Sequence, residues 1–432
     1  MKHTTIKEDE QVDSLFAEDE QTLSAIAIDE YAKKKAPYGG LRNDAPLDAR
    51  AKRVAAIAIV FAAVFIVALF IPSNMVMYRV GELGIALPSP AELFEAVGER
   101  AQEIFSLFAL HNDLRGWMTL SAFIMVALTG AGLGLSGAVY QNTFKNALAS
   151  PSTMGVMSGA TLGVVLFYAL STGEGGDDIT PHLFGKALTE QTVSNPLEWF
   201  YMVWGHSLWA FVVAMLVVAI VMAISMLSRR SRASKVYVII AGQVIATISA
   251  GIVASIRNYY SVHWPWGNKT LTIAEAQTAV FGSSPDVVAL VVIAVPIVAI
   301  MTFVLVNHRK LTLLTFSEME TASMGVDTGA LRIGLLIACT ALTALIVAFC
   351  GPIGFVGFFM PHVARKLVGP NFQYLIPATM LLAATFTTGA YALSGFFSAG
   401  AGYTGMFISL VGAVAFLVIA LQQRGSRHGD WL

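Results

Sequence analysis

Charge is scarce in this 432-residue chain. Asp, Glu, Lys and Arg make up 13% of it, about half of what a soluble domain carries. Apolar residues reach 56%. Such a chain cannot cover itself with a water-compatible surface, which excludes a soluble enzyme or binding module. A net charge of −1 gives no footing for nucleic acid. Cysteine is scarce too. Cys339 and Cys350 stand eleven positions apart in one apolar run. On a helix that is about 16 Å, beyond the ~7 Å between Cα atoms that a disulfide tolerates. Both read as small buried hydrophobes, and no zinc spacing or disulfide framework exists. No cleavable leader is expected, because the first thirty residues hold nine acids and no apolar core. A phosphate-binding loop is missing as well. Residues 267–270 read GNKT without the preceding glycine at the required spacing. The chain is therefore not expected to hydrolyse ATP, to be an enzyme, or to hold a cofactor or metal.

What is present is a tail followed by a series of apolar runs. Residues 1–53 form an expected N-terminal tail, acidic over 8–30 and basic over 33–53 (Lys33, Lys34, Lys35, Arg42, Arg50, Lys52, Arg53). Its composition suits a solvated or surface-bound segment. Residues 54–422 form the membrane domain, and 423–432 a short C-terminal tail. Within 54–422, runs long enough for a hydrocarbon layer about 30 Å thick lie at 54–72, 117–137, 152–170, 204–227, 236–256, 286–306, 332–350, 353–368, 376–395 and 403–421. The eighth is short and joined to the seventh by only Gly351 and Pro352. It reads as a broken or partly re-entrant helix, tolerable only where protein or water covers it.

Basic residues orient the ten spans. With a cytoplasmic N-terminus, the outer segments hold six of the 27 Lys and Arg: Arg79, Arg100, Arg115, Lys186, Arg257 and Lys269. The remainder fall on the cytoplasmic side, most sharply in the SRRSRASK loop at 228–235. Both termini are then cytoplasmic, and the protein belongs in a cell membrane. The outer loops are acidic, and 90–110 reads as an amphipathic helix on the outer surface. The span centres contain no Asp, Glu, Lys or Arg. Carriers driven by protons usually need such a group inside the membrane, so the energy is expected from outside it. Gly130 and Gly134 in the second span, and Gly155, Gly159 and Gly163 in the third, provide small-residue faces for close helix packing.

Three segments go further. Residues 135–163 read LSGAVYQNTFKNALASPSTMGVMSGATLG, with Gly137, Gln141, Asn146, Pro151, Gly155 and Gly159 in order. Residues 351–377 read GPIGFVGFFMPHVARKLVGPNFQYLIP, with Gly351, Pro352, Gly354, Gly357, Pro361, His362 and Arg365. Residues 313–332 read LLTFSEMETASMGVDTGALR, with Glu318, Ser323, Met324, Gly325 and Val326. Together they resemble the FecCD-type permease subunits of iron-siderophore and cobalamin ABC importers, over about residues 54–422.

The resemblance implies an all-α membrane protein of about ten transmembrane helices with the type II ABC importer permease fold. It implies a second permease subunit, the same chain or a sister, and two cytoplasmic ABC ATPase subunits. Glu318, Ser323, Met324, Gly325 and Val326 would form the segment that couples to the ATPase. Spans three, five, eight and ten would line the path, with Ser158, Gln243, Thr247 and Ser249 as candidates. His362, inside a motif near a span end, reads as structural. Ferric siderophore is the expected cargo, with cobalamin and haem as alternatives. The chain departs from the family where an extracytoplasmic substrate-binding protein docks. Thr119 to Ala122, Tyr391 and Gly395 stand where charged residues are common, and Gly402 to Gly405 lacks the usual proline. Readings of another class are an ATP-independent secondary transporter and a membrane scaffold or receptor.

Overall fold

The structure is a computed structural model that describes residues 47–71, 77–79, 84–86, 89–106, 114–172, 180–183, 186–187, 189, 194–227, 234–263, 265, 268, 287–315, 328–396 and 404–423. Twelve helices and two short hairpins appear among them. The helices are α1 (Leu47–Leu69), α2 (Pro90–Ser106), α3 (Leu114–Thr143), α4 (Val156–Leu170), α5 (Pro196–Leu227) and α6 (Ser234–His263). They continue as α7 (Val287–Val306), α8 (His308–Leu313), α9 (Thr328–Cys350), α10 (Val356–Val368), α11 (Phe372–Phe396) and α12 (Thr404–Gln423). The antiparallel hairpins pair β1 (Met77–Arg79) with β2 (Gly84–Ala86) and β3 (His182–Leu183) with β4 (Lys186–Ala187).

Each of the ten expected spans overlaps one of these helices. Among the described residues, six stretches are long and apolar enough to cross a membrane: Ala49–Leu69, Thr119–Thr143, Pro196–Ile224, Ile240–His263, Gly329–Cys350 and Phe372–Phe396. Shorter apolar helices run Val156–Leu170 and Leu290–Val306. The 13 residues of α10 reach only about 20 Å, too little for the hydrocarbon layer alone. Its backbone is covered instead by protein, with Val356, Met360, Ala364 and Val368 all buried.

The bundle is organised around α3, whose apolar window is 83% buried against 11% for α1 and 17% for α6. It packs on α11, α9, α10 and α7. Two glycines allow the closest approaches. A Cβ on Gly130 would run into Thr387 Oγ1 and the Ala383 carbonyl of α11, and one on Gly137 into the Gly357 carbonyl of α10. Backbones that meet in this way gain dispersion contacts, which lipid cannot supply through a hydrophobic drive. α4 lies in turn on α5 and α6. The C-terminal end of α1 meets α2 through Arg100, whose Nε donates to the Leu69 carbonyl at 3.3 Å.

Helix boundaries follow local chemistry. α2 opens on a reciprocal cap: Ser89 N donates to Glu92 Oε2 at 2.7 Å, Glu92 N donates to Ser89 Oγ at 3.3 Å, and Pro90 occupies the first turn. These bonds hold the Glu92 carboxyl below its ordinary range, the Ser89 backbone N–H contributing most. α5 starts eight residues earlier than the expected 204, because Asn195 Oδ1 accepts from Glu198 N at 2.9 Å and Pro196 follows it.

Candidate translocation face

α6 carries an exposed polar stripe. Gln243, Thr247, Gly251 and Ser255 recur every fourth residue and all four are exposed. On a helix that spacing gives one continuous stripe. Thr247 Oγ1 donates to the Gln243 carbonyl and Ser255 Oγ to the Gly251 carbonyl, each at 2.9 Å. The hydroxyl protons are thus satisfied along the helix, and the oxygen lone pairs remain free outward. The Gln243 amide has no hydrogen-bond partner among the described residues. A Cβ on Gly251 would meet nothing within 4 Å. Beside this stripe runs an apolar one, with Val244 52%, Ile248 57% and Ile252 42% exposed. An unpaired amide facing hydrocarbon would cost several kcal/mol (roughly 4–8 in transfer to alkane). The polar stripe is therefore suited to water or to another polar surface, and the apolar stripe to lipid or apolar protein.

The four expected path residues do not sit alike. Gln243 and Thr247 share the exposed stripe. Ser249 is on the other side of α6, 4% exposed. Ser158, in the first turn of α4, is half-buried and lines a small cavity of about 220 Å³ with Met157, Thr161, Ala250, Val253 and Pro352. The cavity joins the third span, the fifth span and the Gly351–Pro352 break. Thr161 Oγ1 is buried there without a hydrogen-bond partner. Gly251, Ser255 and Thr161 were not singled out by sequence. Stepping by four from Gln243 and Thr247, and by three from Ser158, reaches all of them.

The motif residues seat α3 on α10 and α8, and α4 on α5 and α6. Gln141 Nε2 donates to the Phe358 carbonyl at 3.0 Å, one turn along from the Gly137–Gly357 contact. Asn142 Nδ2 donates to the Leu311 carbonyl of α8 at 2.7 Å, and sequence reasoning missed it. Asn146 Oδ1 accepts from Leu148 N at 3.0 Å, and the Pro151 carbonyl accepts from Val156 N at 3.0 Å. Gly155, at φ 74° in the left-handed region, starts α4. A Cβ there would fall 2.7 Å from the Gly242 carbonyl of α6, while Gly159 seats Val217 of α5. α4 is thereby held tightly to the helix that carries the stripe.

The second motif is a strained break followed by α10. Gly351 (φ 72°) and Phe355 (φ 65°) both lie in the left-handed region, where Phe is disfavoured. Pro352 and Gly354 stand between them, and Gly354 approaches Ser409 of α12. Pro361 lies inside α10. His362 is 9% exposed and donates from Nδ1 to the Phe358 carbonyl at 3.1 Å, and Arg365 is 5% exposed. Among the described residues, no three His, Cys, Asp or Glu side chains lie close enough together to hold a metal ion. Cys339 and Cys350 are buried free thiols. Glu318, Ser323, Met324, Gly325 and Val326 lie outside the described residues, as do the tail up to residue 46 and residues 424–432.

Comparison with known proteins supports the same architecture. The model of the FecCD transport family matches residues 83–422. YvrB of Bacillus subtilis, an ABC transporter permease protein, is 29% identical over 360 residues, covering 80% of this chain and 90% of YvrB. The iron-uptake system permease protein FeuC, also of Bacillus subtilis, is 25% identical over 317 residues, covering 72% of this chain and 84% of FeuC. A solved metal-chelate type ABC transporter in an inward-facing conformation superposes with a TM-score of 0.61 at 22% identity. It covers 86% of this chain and 99% of that one. The likeness is one of fold.

Proposed function

The chain belongs to the FecCD transport family, an ABC transporter permease by its relatives, and from that premise we propose that it forms the membrane path of an ATP-driven importer of a ferric siderophore or similar iron chelate. The name of FeuC, an iron-uptake permease, supports that class of cargo. The observation that carries the reading is the exposed, uncharged polar stripe Gln243–Thr247–Gly251–Ser255 on α6. Amides and hydroxyls can slide past a bulky polar chelate without holding it, whereas a fixed charge would trap or repel it.

In this reading the path lies between two permease chains, each lending one stripe. Residues 1–53 and 423–432 are cytoplasmic tails on a membrane domain over 54–422, in a cell membrane. Two ABC ATPase subunits bind on the cytoplasmic side. Glu318 through Val326 transmit their closure, reaching the bundle through α8 and the Asn142–Leu311 bond. ATP favours one orientation of the path only through its differential affinity for the two states. A substrate-binding protein delivers cargo from outside by contacts other than the usual arginine pairs, because Ser121 and Ala122 are buried and uncharged.

The test is uptake of a ferric chelate by proteoliposomes holding the assembled complex. Uptake should require ATP hydrolysis and should fall to background with Glu318→Lys or Gly325→Trp, with loss of ATPase association. Uptake driven by a proton gradient without nucleotide would instead establish a secondary transporter.

A further inference from the structure

Away from the translocation face, α1 leans on α11 and touches α3 only lightly. The crevice this leaves is a groove of about 510 Å³, walled by Phe61 and Phe65, floored by Ala127, Ala131 and Ala384, and reaching Leu305 at one end. No side chain lining it carries a nitrogen or oxygen atom. Water has no partners there. From Ile124 to Ala131 the groove follows α3 for about 10 Å. A hydrocarbon chain lying there leaves no polar group of its own unpaired.

The end at Leu305 adds charge. Leu305 is in the last turn of α7, and the helical course continues past Asn307 into α8: Asn307 N donates to the Phe303 carbonyl at 3.3 Å and Leu311 N to the Asn307 carbonyl at 3.0 Å. Arg309 therefore stands about one turn beyond Leu305, roughly 6 Å along. Lys310 follows it. Both are exposed, and among the described residues neither has an ion-pair partner. The buried Leu311 and Leu314 anchor this short helix, which keeps the backbone of the two cationic residues near the Leu305 end of the groove.

We propose that the groove is a site for one anionic phospholipid, with an acyl chain lying between α1 and α3 and its phosphate held by Arg309 and Lys310. The lipid comes from the leaflet on the side of these two cations. The inference needs only that the helices lie in a bilayer and is independent of what the protein transports. Apolar burial fixes the chain, and two cations near the surface select the headgroup.

Native mass spectrometry of the purified full-length chain, titrated with dioleoyl phosphatidylglycerol or dioleoyl phosphatidylcholine, tests it. Phosphatidylglycerol should form a one-to-one adduct, preferred about thirtyfold over phosphatidylcholine for two cations near the surface. The Arg309→Gln/Lys310→Gln pair should erase the preference but retain a weak adduct with both lipids. Ala127→Phe, which fills the groove, should remove the adduct with both. Ala131→Leu repeats the test should Ala127→Phe fail to fold. Equal retention of the two lipids by the unaltered chain would overturn the proposal, as would an adduct that survives both groove variants. So would a change of oligomeric mass in Ala127→Phe with the lipid still bound, which would show that a second copy covers the groove.

Discussion

The contact between Gly137 and Gly357 can be probed with a single methyl group. In Gly137→Ala the new Cβ would coincide with the Gly357 carbonyl. That atom belongs to the backbone of α10 and cannot rotate away, so the two helices must separate. The opposing gain is intrinsic: alanine in place of glycine inside a helix favours folding by about 1 kcal/mol. Overpacking of a tight interface costs about 1–3 kcal/mol. Moving α10 also stretches the Gln141–Phe358 hydrogen bond, and a buried bond weakened in this way costs about 1 kcal/mol more. The clash wins, and a net loss of about 2 kcal/mol is expected. Gly334→Ala is the control, since a Cβ on that exposed residue of α9 would meet nothing within 4 Å. It should be neutral or up to about 1 kcal/mol stabilising. Unfolding of the purified protein by heat or dodecyl sulfate in detergent gives both values. If Gly137→Ala unfolds no earlier than Gly334→Ala, the backbone contact between α3 and α10 is not as described.

Other perturbations read different parts of the structure. Asn142→Leu leaves the Leu311 carbonyl without its donor and should destabilise by about 1–3 kcal/mol, whereas Gln243→Leu, which breaks no described bond, should leave the melting point unchanged. Acid should loosen α2. The Glu92 carboxyl is held below its ordinary value by Ser89, so its contribution is complete above that ordinary value and is lost as pH falls through the depressed one. Amide exchange over Leu93–Val97 should accelerate on that descent, Glu92→Gln should remove the pH dependence, and Ser89→Ala, which keeps the backbone N–H that contributes most, should only weaken it. Exchange in Glu92→Gln that still tracks pH as in the unaltered chain would deny the cap its role.

Much of this arrangement can be read from the residues because membrane constraints are few and strict. Apolar runs of sufficient length must become helices once water is absent, and each of the ten expected spans overlaps one. The ends are less readable. The helix of the third expected span, α4, begins at Val156 and not at 152 because Pro151 to Gly155 makes a turn that closes with Gly155 in the left-handed region. Asn195 extends α5, the helix of the fourth expected span, upstream by capping, a local hydrogen bond that an apolar-run count does not see. Which side of α6 is exposed was also hidden. The helix is apolar on most sides, so periodicity alone could not separate Thr247, which is exposed, from Ser249, which is buried. That distinction comes from where α4 and α5 pack, with Gly242 pressed on Thr153 and Met154. The Asn142 bond to α8 was equally out of reach, because its two partners are 169 positions apart.

The central claim is that the Gln243–Ser255 stripe meets water inside a membrane while the neighbouring stripe does not. Thiol labelling tests it directly, because Cys339 and Cys350 are buried and leave a low background. In the assembled complex in proteoliposomes, Thr247→Cys and Ser255→Cys should react with a charged, membrane-impermeant methanethiosulfonate, and Val244→Cys and Ile248→Cys should not. Labelling of Val244→Cys and Ile248→Cys with Thr247→Cys silent would contradict the account.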